Sequence, residues 1–306
     1  MNERIPKITG LNFPEIKPIT KGMSGDRKFS LTDENGNRYL LRLSEKTEYA
    51  RKKNEYAFLQ TLSEQALPVP KPITFGLDAD ENCVYTLLSW IDGREAEKAL
   101  PALSPAEQYA YGVKAGKILK SIHSVAPVQH AENWQTRYFS VMRDRLQAYH
   151  TEGLPFEGSE AVLKYLDDKS ALLADRPQTR HHGDYHMGNL IIGKDNTLSV
   201  IDWHTVDFEN YGDPWYEFNR IGVEIPAFAT GQIDGYFNGD TPQSFWELLA
   251  YYLAGSAITS IVWAKYFAPD KLQEILRLNE NVVQWFHGMK DPVPTWYDKT
   301  LRNQIS

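Results

Sequence analysis

The feature that most constrains this chain is a polar block at residues 182–189, His-Gly-Asp-Tyr-His-Met-Gly-Asn, which Asp202 follows at a short distance. Asp184 offers a carboxylate that can orient a hydroxyl group and take its proton. Asn189 and Asp202 offer an amide oxygen and a carboxylate, which are oxygen ligands that suit Mg²⁺. The chain therefore needs a fold that brings these oxygen donors together around a cation.

The residues after this block predict a β-hairpin. Apolar stretches at residues 190–192 and 198–201 flank the polar turn Lys194-Asp195-Asn196, and this pattern is typical of two short antiparallel strands. Because the two ends of a hairpin lie side by side, we expect the three oxygen-bearing side chains to gather at one edge of it.

Composition excludes several classes of protein. A net charge of -7 and an isoelectric point near 5.7 disfavour general nucleic-acid binding. The single Cys83 excludes an intrachain disulfide framework and a cysteine-based zinc site. No signal-peptide pattern and no apolar run of about 18 residues is evident, so we expect a cytoplasmic protein with no membrane partner.

The first part of the chain is predicted to be β-rich. Residues 33–37, Asp-Glu-Asn-Gly-Asn, form a strong hairpin-turn pattern. One helix is predicted at residues 48–65, where apolar side chains recur on one face. We expect this part to comprise residues 1–91, with a hinge at residues 89–93.

The remainder, residues 92–306, is predicted to be mainly helical. Ser104 and Glu107 have the spacing of a capping box at the start of a helix. Its final third is rich in aromatic residues. At 306 residues, the chain has the length of one domain or of two lobes.

The order of the motifs resembles that of the aminoglycoside phosphotransferase and choline kinase superfamily. The resemblance rests on residues 182–189 with Ile201-Asp202-Trp203. It extends upstream to residues 67–72 and downstream to residues 212–217, and covers roughly residues 20–290. Gly183 and Trp203 indicate the small-molecule branch, because protein kinases more often carry Arg and Phe-Gly at these places.

The resemblance implies an α+β, bilobal, protein-kinase-like fold, with a small antiparallel β-sheet lobe containing one helix and a larger, mainly helical lobe. It implies that Asp184 is the catalytic base and that Asn189 and Asp202 bind Mg²⁺. The co-substrate is then ATP or GTP, and the acceptor is a hydroxyl group of a small molecule.

A nucleotide site is implied in the N-terminal part. The Gly-rich turn with Gly22, Ser24 and Gly25 would cover the phosphates. Arg42 stands where such kinases usually carry Lys, and Glu55 on the following helix is its expected partner. Ser89 and Ile91 would supply backbone hydrogen bonds to the base.

The acceptor side is less informative. Carboxylates that follow the metal-binding aspartate could bind a cationic acceptor; the candidates are Asp207, Glu209, Glu217 and Glu224. An aminoglycoside is the leading acceptor, which would associate the chain with antibiotic resistance. Choline, homoserine, a methylthio sugar, a macrolide and a fructosamine are alternatives, because a fold does not determine a substrate.

Two rival functions fit the sequence less well. A nucleotide-binding pseudokinase is favoured by Arg42 in place of Lys and disfavoured by the intact Asp184, Asn189 and Asp202. A hydrolase with paired carboxylates would not explain the Gly-rich turn together with the hinge. The sequence leaves the acceptor, the choice between ATP and GTP, and the oligomeric state open.

Overall fold

A computed structural model describes residues 12–20, 25–78, 82–125, 132–152, 154–203 and 211–304. The chain forms two compact units. The first consists of Met1–Lys98 and Gly188–Trp203, and the second of Ala99–Met187 and His204–Ser306. The first unit thus extends beyond residue 91 and takes in the predicted hairpin, because a strand just after residue 91 pairs with the first strand of that hairpin.

The described strands are short and the helices longer. The strands are β1 (Glu15–Ile19), β2 (Arg27–Thr32), β3 (Arg38–Glu45), β4 (Pro72–Leu77), β5 (Cys83–Ser89), β6 (Arg94–Glu95), β7 (Thr179–Arg180), β8 (Leu190–Ile192), β9 (Leu198–Val200) and β10 (Tyr211–Gly212). The helices are α1 (Tyr49–Glu64), α2 (Ala96–Ala99), α3 (Pro105–His123), α4 (Trp134–Glu152), α5 (Ser159–Asp168), α6 (Pro226–Phe237), α7 (Gln243–Phe267) and α8 (Leu272–Trp285).

Five strands of the first unit form an antiparallel sheet in the order β1-β2-β3-β5-β4. Its core is apolar and consists of Phe29, Leu31, Leu41, Leu43 and Leu87. In the β2–β3 register Lys28 lies opposite Arg42, and Phe29 opposite Leu41. Since successive side chains alternate between the two faces of a sheet, Lys28 and Arg42 share the face opposite to this core.

The predicted hairpin is present in the first unit. Leu190 pairs with Val200 in the β8–β9 ladder, and β6 adds a third strand beside β8. The backbone N–H of Val200 also donates to the carbonyl oxygen of Pro68, at 2.8 Å. The hairpin is therefore attached on two sides to segments that precede it by about a hundred residues in the sequence.

In the second unit, glycines join α3 and α6. Gly112 and Gly116 lie on α3, Gly231 and Gly235 on α6, and a Cβ atom added at any of the four would lie 2.0–2.2 Å from a backbone oxygen of the other helix. Only glycine permits backbones to approach so closely. The predicted capping box of Ser104 is also present and begins α3.

The longest helix, α7, packs into the core of the second unit. Among the described residues it is the one helix long and apolar enough to cross a bilayer by length and composition, and 72% of its most apolar window is buried inside the fold. Phe245 and Tyr252 on this helix are completely buried. The apolar composition of α7 is therefore explained by its packing inside the second unit.

Candidate active site

The edge of the hairpin carries the two predicted metal ligands. The backbone N–H of Ile201 donates to the carbonyl oxygen of Asn189, at 2.9 Å, which brings Asn189 and the start of the segment after β9 side by side. Asp202 follows with a φ of +60°, a conformation uncommon for a residue other than glycine. Asn189 is buried, whereas the Asp202 side chain is 28% exposed.

Two cations from the β2–β3 face approach Asp202. Lys28 Nζ lies 3.4 Å and Arg42 Nη1 3.6 Å from Asp202 Oδ1. Arg42 Nη1 also donates to the carbonyl oxygen of Trp203, at 3.2 Å. The sheet therefore supplies positive charge at the carboxylate that is predicted to bind metal.

Asp26 is the centre of a buried ionic cluster. It accepts hydrogen bonds from Arg42 Nε (3.0 Å) and Nη2 (2.7 Å), from Lys52 Nζ (2.6 Å) and from Ser44 Oγ (2.7 Å). Burial alone would raise the pKa of Asp26, but Arg42 and Lys52 hold it well below its usual range. Burial and the neighbouring Arg42 lower the pKa of Lys52. Asp26 thus links the start of β2 to β3 and to α1.

The predicted Arg42–Glu55 pair is corrected by the structure. Arg42 pairs with Asp26, while Glu55 is bonded to Arg51 Nη1 at 2.6 Å and lies 3.4 Å from Lys52 Nζ. Arg42 is paired with the carboxylate that immediately precedes the neighbouring strand β2, and not with the one on the helix. The sequence contained both missed residues, but no periodic pattern distinguishes Asp26 or Lys52 from other charged residues.

The predicted nucleotide-binding segments are described in part. Gly22 and Ser24 lie outside the described residues, and Gly25 is exposed just before β2. The backbone N–H of Ser89 donates to the carbonyl oxygen of Lys71, at 2.8 Å. The N–H of Ser89 is thus used within the first unit. Base contacts from the Ser89 carbonyl oxygen and from Ile91 stay predictions.

Asp184 lies in the second unit between two nitrogen donors. His186 Nε2 is 3.3 Å from Asp184 Oδ2, and Arg220 Nε is 3.4 Å from Asp184 Oδ1. Burial would raise the pKa of Asp184, but the hydrogen bond from His186 and the charge of Arg220 lower it to about 2. The side chain is 18% exposed. Asp184 is therefore an ionised, partly exposed carboxylate.

Glu217 supports the loop that carries Asp184. It accepts the backbone N–H groups of His182 (2.9 Å) and Gly183 (2.8 Å), and its Oε2 lies 2.9 Å from His123 Nε2. Burial would raise the pKa of Glu217, but the hydrogen bond with His123 and the surrounding histidines lower it to about 2. With 3% exposure, Glu217 is a buried support. Its predicted role as an acceptor-binding residue is corrected.

The remaining predicted acceptor residues differ in position. Asp207 and Glu209 lie outside the described residues. Glu224 is exposed, shortly before α6. Asp213, which belongs to the motif at residues 212–217 and is not one of these candidates, is completely buried and accepts hydrogen bonds from Arg176 at 2.6 and 2.9 Å. An acceptor contact therefore stays a prediction for Asp207, Glu209 and Glu224.

The donor set of the hairpin fits Mg²⁺ when a nucleotide supplies the other ligands. Asn189 and Asp202 offer hard oxygen donors at one edge, the set that Mg²⁺ prefers. Within the described ranges, no cluster of three or more His, Cys, Asp or Glu side chains could hold a metal by itself. Mg²⁺ commonly takes one or two protein ligands plus substrate phosphates. The hairpin can provide the two protein ligands, and the nucleotide would provide the phosphates.

Comparison with known proteins defines the class of the chain. Three solved structures share its fold: a thermostable mutant of aminoglycoside phosphotransferase APH(4)-Ia (TM-score 0.64, 17% identity, 89% of this chain and 94% of that one), a choline/ethanolamine kinase family protein from Mesorhizobium loti (0.62, 16%, 93% and 92%), and amicoumacin kinase hAmiN with AMP-PNP, Ca²⁺ and Ami (0.62, 13%, 94% and 92%). They confirm the predicted protein-kinase-like α+β class.

The family follows from the sequence itself. Residues 15–249 match the APH family model, the phosphotransferase enzyme family. The chain belongs to this family, as the motifs indicated, and it is a phosphotransferase. Among curated proteins, none matches the sequence significantly. The similar solved structures share too little sequence to extend their acceptors to this chain.

Proposed function

We propose that this chain transfers the γ-phosphoryl group of ATP or GTP to a hydroxyl group of a small molecule, in a Mg²⁺-dependent reaction in the cytoplasm. The observation that carries the proposal is Asp184, an ionised, partly exposed carboxylate on a loop whose backbone N–H groups are bonded to Glu217. Family membership supplies the reaction class. The metal would be held by Asn189 and Asp202, and Mg²⁺ neutralises charge on the phosphate oxygens when it is bound.

The chemistry assigned to Asp184 follows from its pKa. The acceptor oxygen forms a bond to the γ-phosphorus, the bond from that phosphorus to the bridging oxygen breaks, and ADP or GDP leaves. The hydroxyl proton passes to Asp184. A carboxylate with a pKa of about 2 is a weak base, so it orients the hydroxyl first and takes the proton late, once the oxygen has become acidic by bonding to phosphorus.

For the acceptor we propose an aminoglycoside as the leading class. Support comes from the net charge of -7, which favours a cationic acceptor, and from solved relatives named as aminoglycoside phosphotransferases. Choline and related metabolites are the next candidates, because a choline/ethanolamine kinase family protein shares the fold. Homoserine, a methylthio sugar, macrolides and fructosamines complete the panel.

The test is a nucleotide-consumption screen. Release of ADP or GDP is measured with Mg²⁺ and each of aminoglycosides, choline, homoserine, sugars, macrolides and fructosamines, and the product is checked by mass for one added phosphoryl group. We expect acceptor-dependent release from the wild type and none above background from Asp184→Asn. Tight Mg²⁺–nucleotide binding without acceptor-dependent release would refute the proposal and favour the pseudokinase.

A further inference from the structure

Three buried or nearly buried cations of the first unit, Lys28, Arg42 and Lys52, differ in how many of their donors are engaged within the protein. A guanidinium group has five N–H donors. In Arg42, Nε and Nη2 donate to Asp26, and Nη1 donates to the carbonyl oxygen of Trp203 and lies near Asp202. The Arg42 side chain is 5% exposed. All three of its nitrogens are thus engaged within the first unit.

Lys52 is engaged in a similar way. Its Nζ lies 2.6 Å from Asp26 Oδ2 and 3.4 Å from Glu55 Oε2, and its side chain is 3% exposed. If Arg42 or Lys52 turned towards a nucleotide, Asp26 would lose a partner while it stays buried, and a buried carboxylate that loses a partner is strongly destabilising. Arg42 and Lys52 therefore stabilise the buried carboxylate of Asp26.

Lys28 differs from both. It lies on β2, two residues after Asp26, on the strand that leads out of the predicted phosphate turn. Its side chain is 11% exposed, and the ionic partner that the described part of the chain gives it is Asp202, at a long 3.4 Å. A lysine ammonium carries three donors on a flexible stem, so Lys28 can exchange this contact for another anion at little cost.

We propose that Lys28, rather than Arg42, is the cation that binds the nucleotide phosphates, and that Arg42 is a positioning residue for the Asp26 cluster. The inference rests on the proposed function. The phosphate-binding charge of this chain then lies on β2, at Lys28, whereas Arg42 on β3 stabilises the fold. The departure from Lys at position 42 then costs little in nucleotide binding, because a lysine stands opposite it in the β2–β3 register.

Calorimetry with ligands of different phosphate content tests the assignment. Binding of Mg²⁺–ATP and of adenosine (or of the guanine pair, if the wild type prefers it) is measured for the wild type, Lys28→Met and Lys17→Met. Lys17 is a matched lysine on β1, paired with Glu15 and 68% exposed. We expect Lys28→Met to weaken Mg²⁺–ATP binding about tenfold or more without affecting adenosine binding, and Lys17→Met to bind both as the wild type does.

The conservative variants separate binding from structure. Lys28→Arg keeps the charge and should recover most of the affinity for Mg²⁺–ATP. Arg42→Lys keeps the charge but loses the two-point grip on Asp26, so it should lower the urea midpoint of unfolding and weaken Mg²⁺–ATP binding less than Lys28→Met does.

Two results would overturn the assignment. One is Mg²⁺–ATP binding by Lys28→Met within about twofold of the wild type. The other is a loss of phosphate-dependent affinity in Arg42→Lys at unchanged stability. A wild type that binds neither Mg²⁺–ATP nor the guanine nucleotide would refute the proposed function itself. A wild type that binds nucleotide, with a Lys28→Met variant that binds it equally well, would refute only the assignment of Lys28.

Discussion

Glu217→Gln is the substitution with the most sharply defined consequence. The side chain keeps its size but loses its charge and one of its two acceptor oxygens. In the wild type those oxygens accept the backbone N–H groups of His182 and Gly183, at 2.9 and 2.8 Å, and contact His123. If the side chain keeps its position, the amide NH2 group of glutamine replaces one of the two oxygens and faces a backbone N–H donor, which loses its acceptor.

Two quantities give the expected loss in the free energy of unfolding. A hydrogen bond to a charged group contributes about 1.5–3 kcal/mol, and an unsatisfied buried donor costs about 1–3 kcal/mol. Independently, the pKa of Glu217 falls from its ordinary 4.5 to about 2, and at about 1.4 kcal/mol per pKa unit this corresponds to about 3 kcal/mol of stability at neutral pH. We therefore expect Glu217→Gln to lower the free energy of unfolding by about 3 kcal/mol.

The assay is urea unfolding followed by tryptophan fluorescence, with Glu247→Gln as the control. Glu247 forms one ion pair, with Lys169 at 3.1 Å, and its side chain is 30% exposed. An exposed pair of this kind contributes about 0–1 kcal/mol, so the control should stay within about 1 kcal/mol of the wild type. If Glu217→Gln loses no more stability than this control, the support assigned to Glu217 is wrong.

The stability that Glu217 contributes depends on pH. Glu217 has a lowered pKa in the folded protein, so its contribution is complete above 4.5 and is lost as the pH falls towards about 2. Glutamine does not titrate. The stability difference between wild type and Glu217→Gln should therefore narrow as the pH is lowered from neutrality through the range below 4.5. A difference that widens on acidification would contradict the assignment of the charge.

Three further predictions concern catalysis, metal and packing. Asp184→Asn should lower kcat about 100-fold to 10,000-fold while Mg²⁺–nucleotide binding by calorimetry is unchanged; turnover within tenfold of the wild type would remove Asp184 from the reaction. Asp202→Asn should raise the Mg²⁺ concentration needed for nucleotide binding about tenfold or more, and an unchanged Mg²⁺ titration would count against this ligand. Gly112→Ala places a methyl group 2.1 Å from the Phe228 carbonyl oxygen and should lower the free energy of unfolding, measured by thermal unfolding, by about 3 kcal/mol. Lys117→Ala, at an exposed position of the same helix, is the control and should lower it by less than about 0.5 kcal/mol.

Local patterns in the sequence predicted local structure well. The hairpin at residues 190–192 and 198–200, the capping box of Ser104 and the β-rich first part all depend on neighbouring residues, and the structure shows each of them. The motifs also predicted the family, because several of them occur in a fixed order along the chain and a single residue would not be specific.

Ion partners were harder to predict, because they depend on distances between segments. Glu55 is the first acidic residue on the helix that follows Arg42. The partner of Arg42 in space is nevertheless Asp26, which immediately precedes strand β2. Glu217 has the polar character of a ligand-binding residue, yet it is buried beneath a loop whose backbone it bonds. A sequence shows which charges exist, but only the packing of the elements shows which of them are satisfied internally.

The discontinuity of the first unit has a consequence for synthesis. Met1–Lys98 leaves the ribosome long before Gly188–Trp203, which completes the unit. At about 5–20 residues per second, the N-terminal segment waits roughly 5–18 s for its missing hairpin. During that time the carbonyl oxygen of Pro68 lacks the N–H of Val200 that it accepts in the finished protein. Translation speed between these two segments therefore sets how long the incomplete first unit is exposed to chaperones and to other nascent chains.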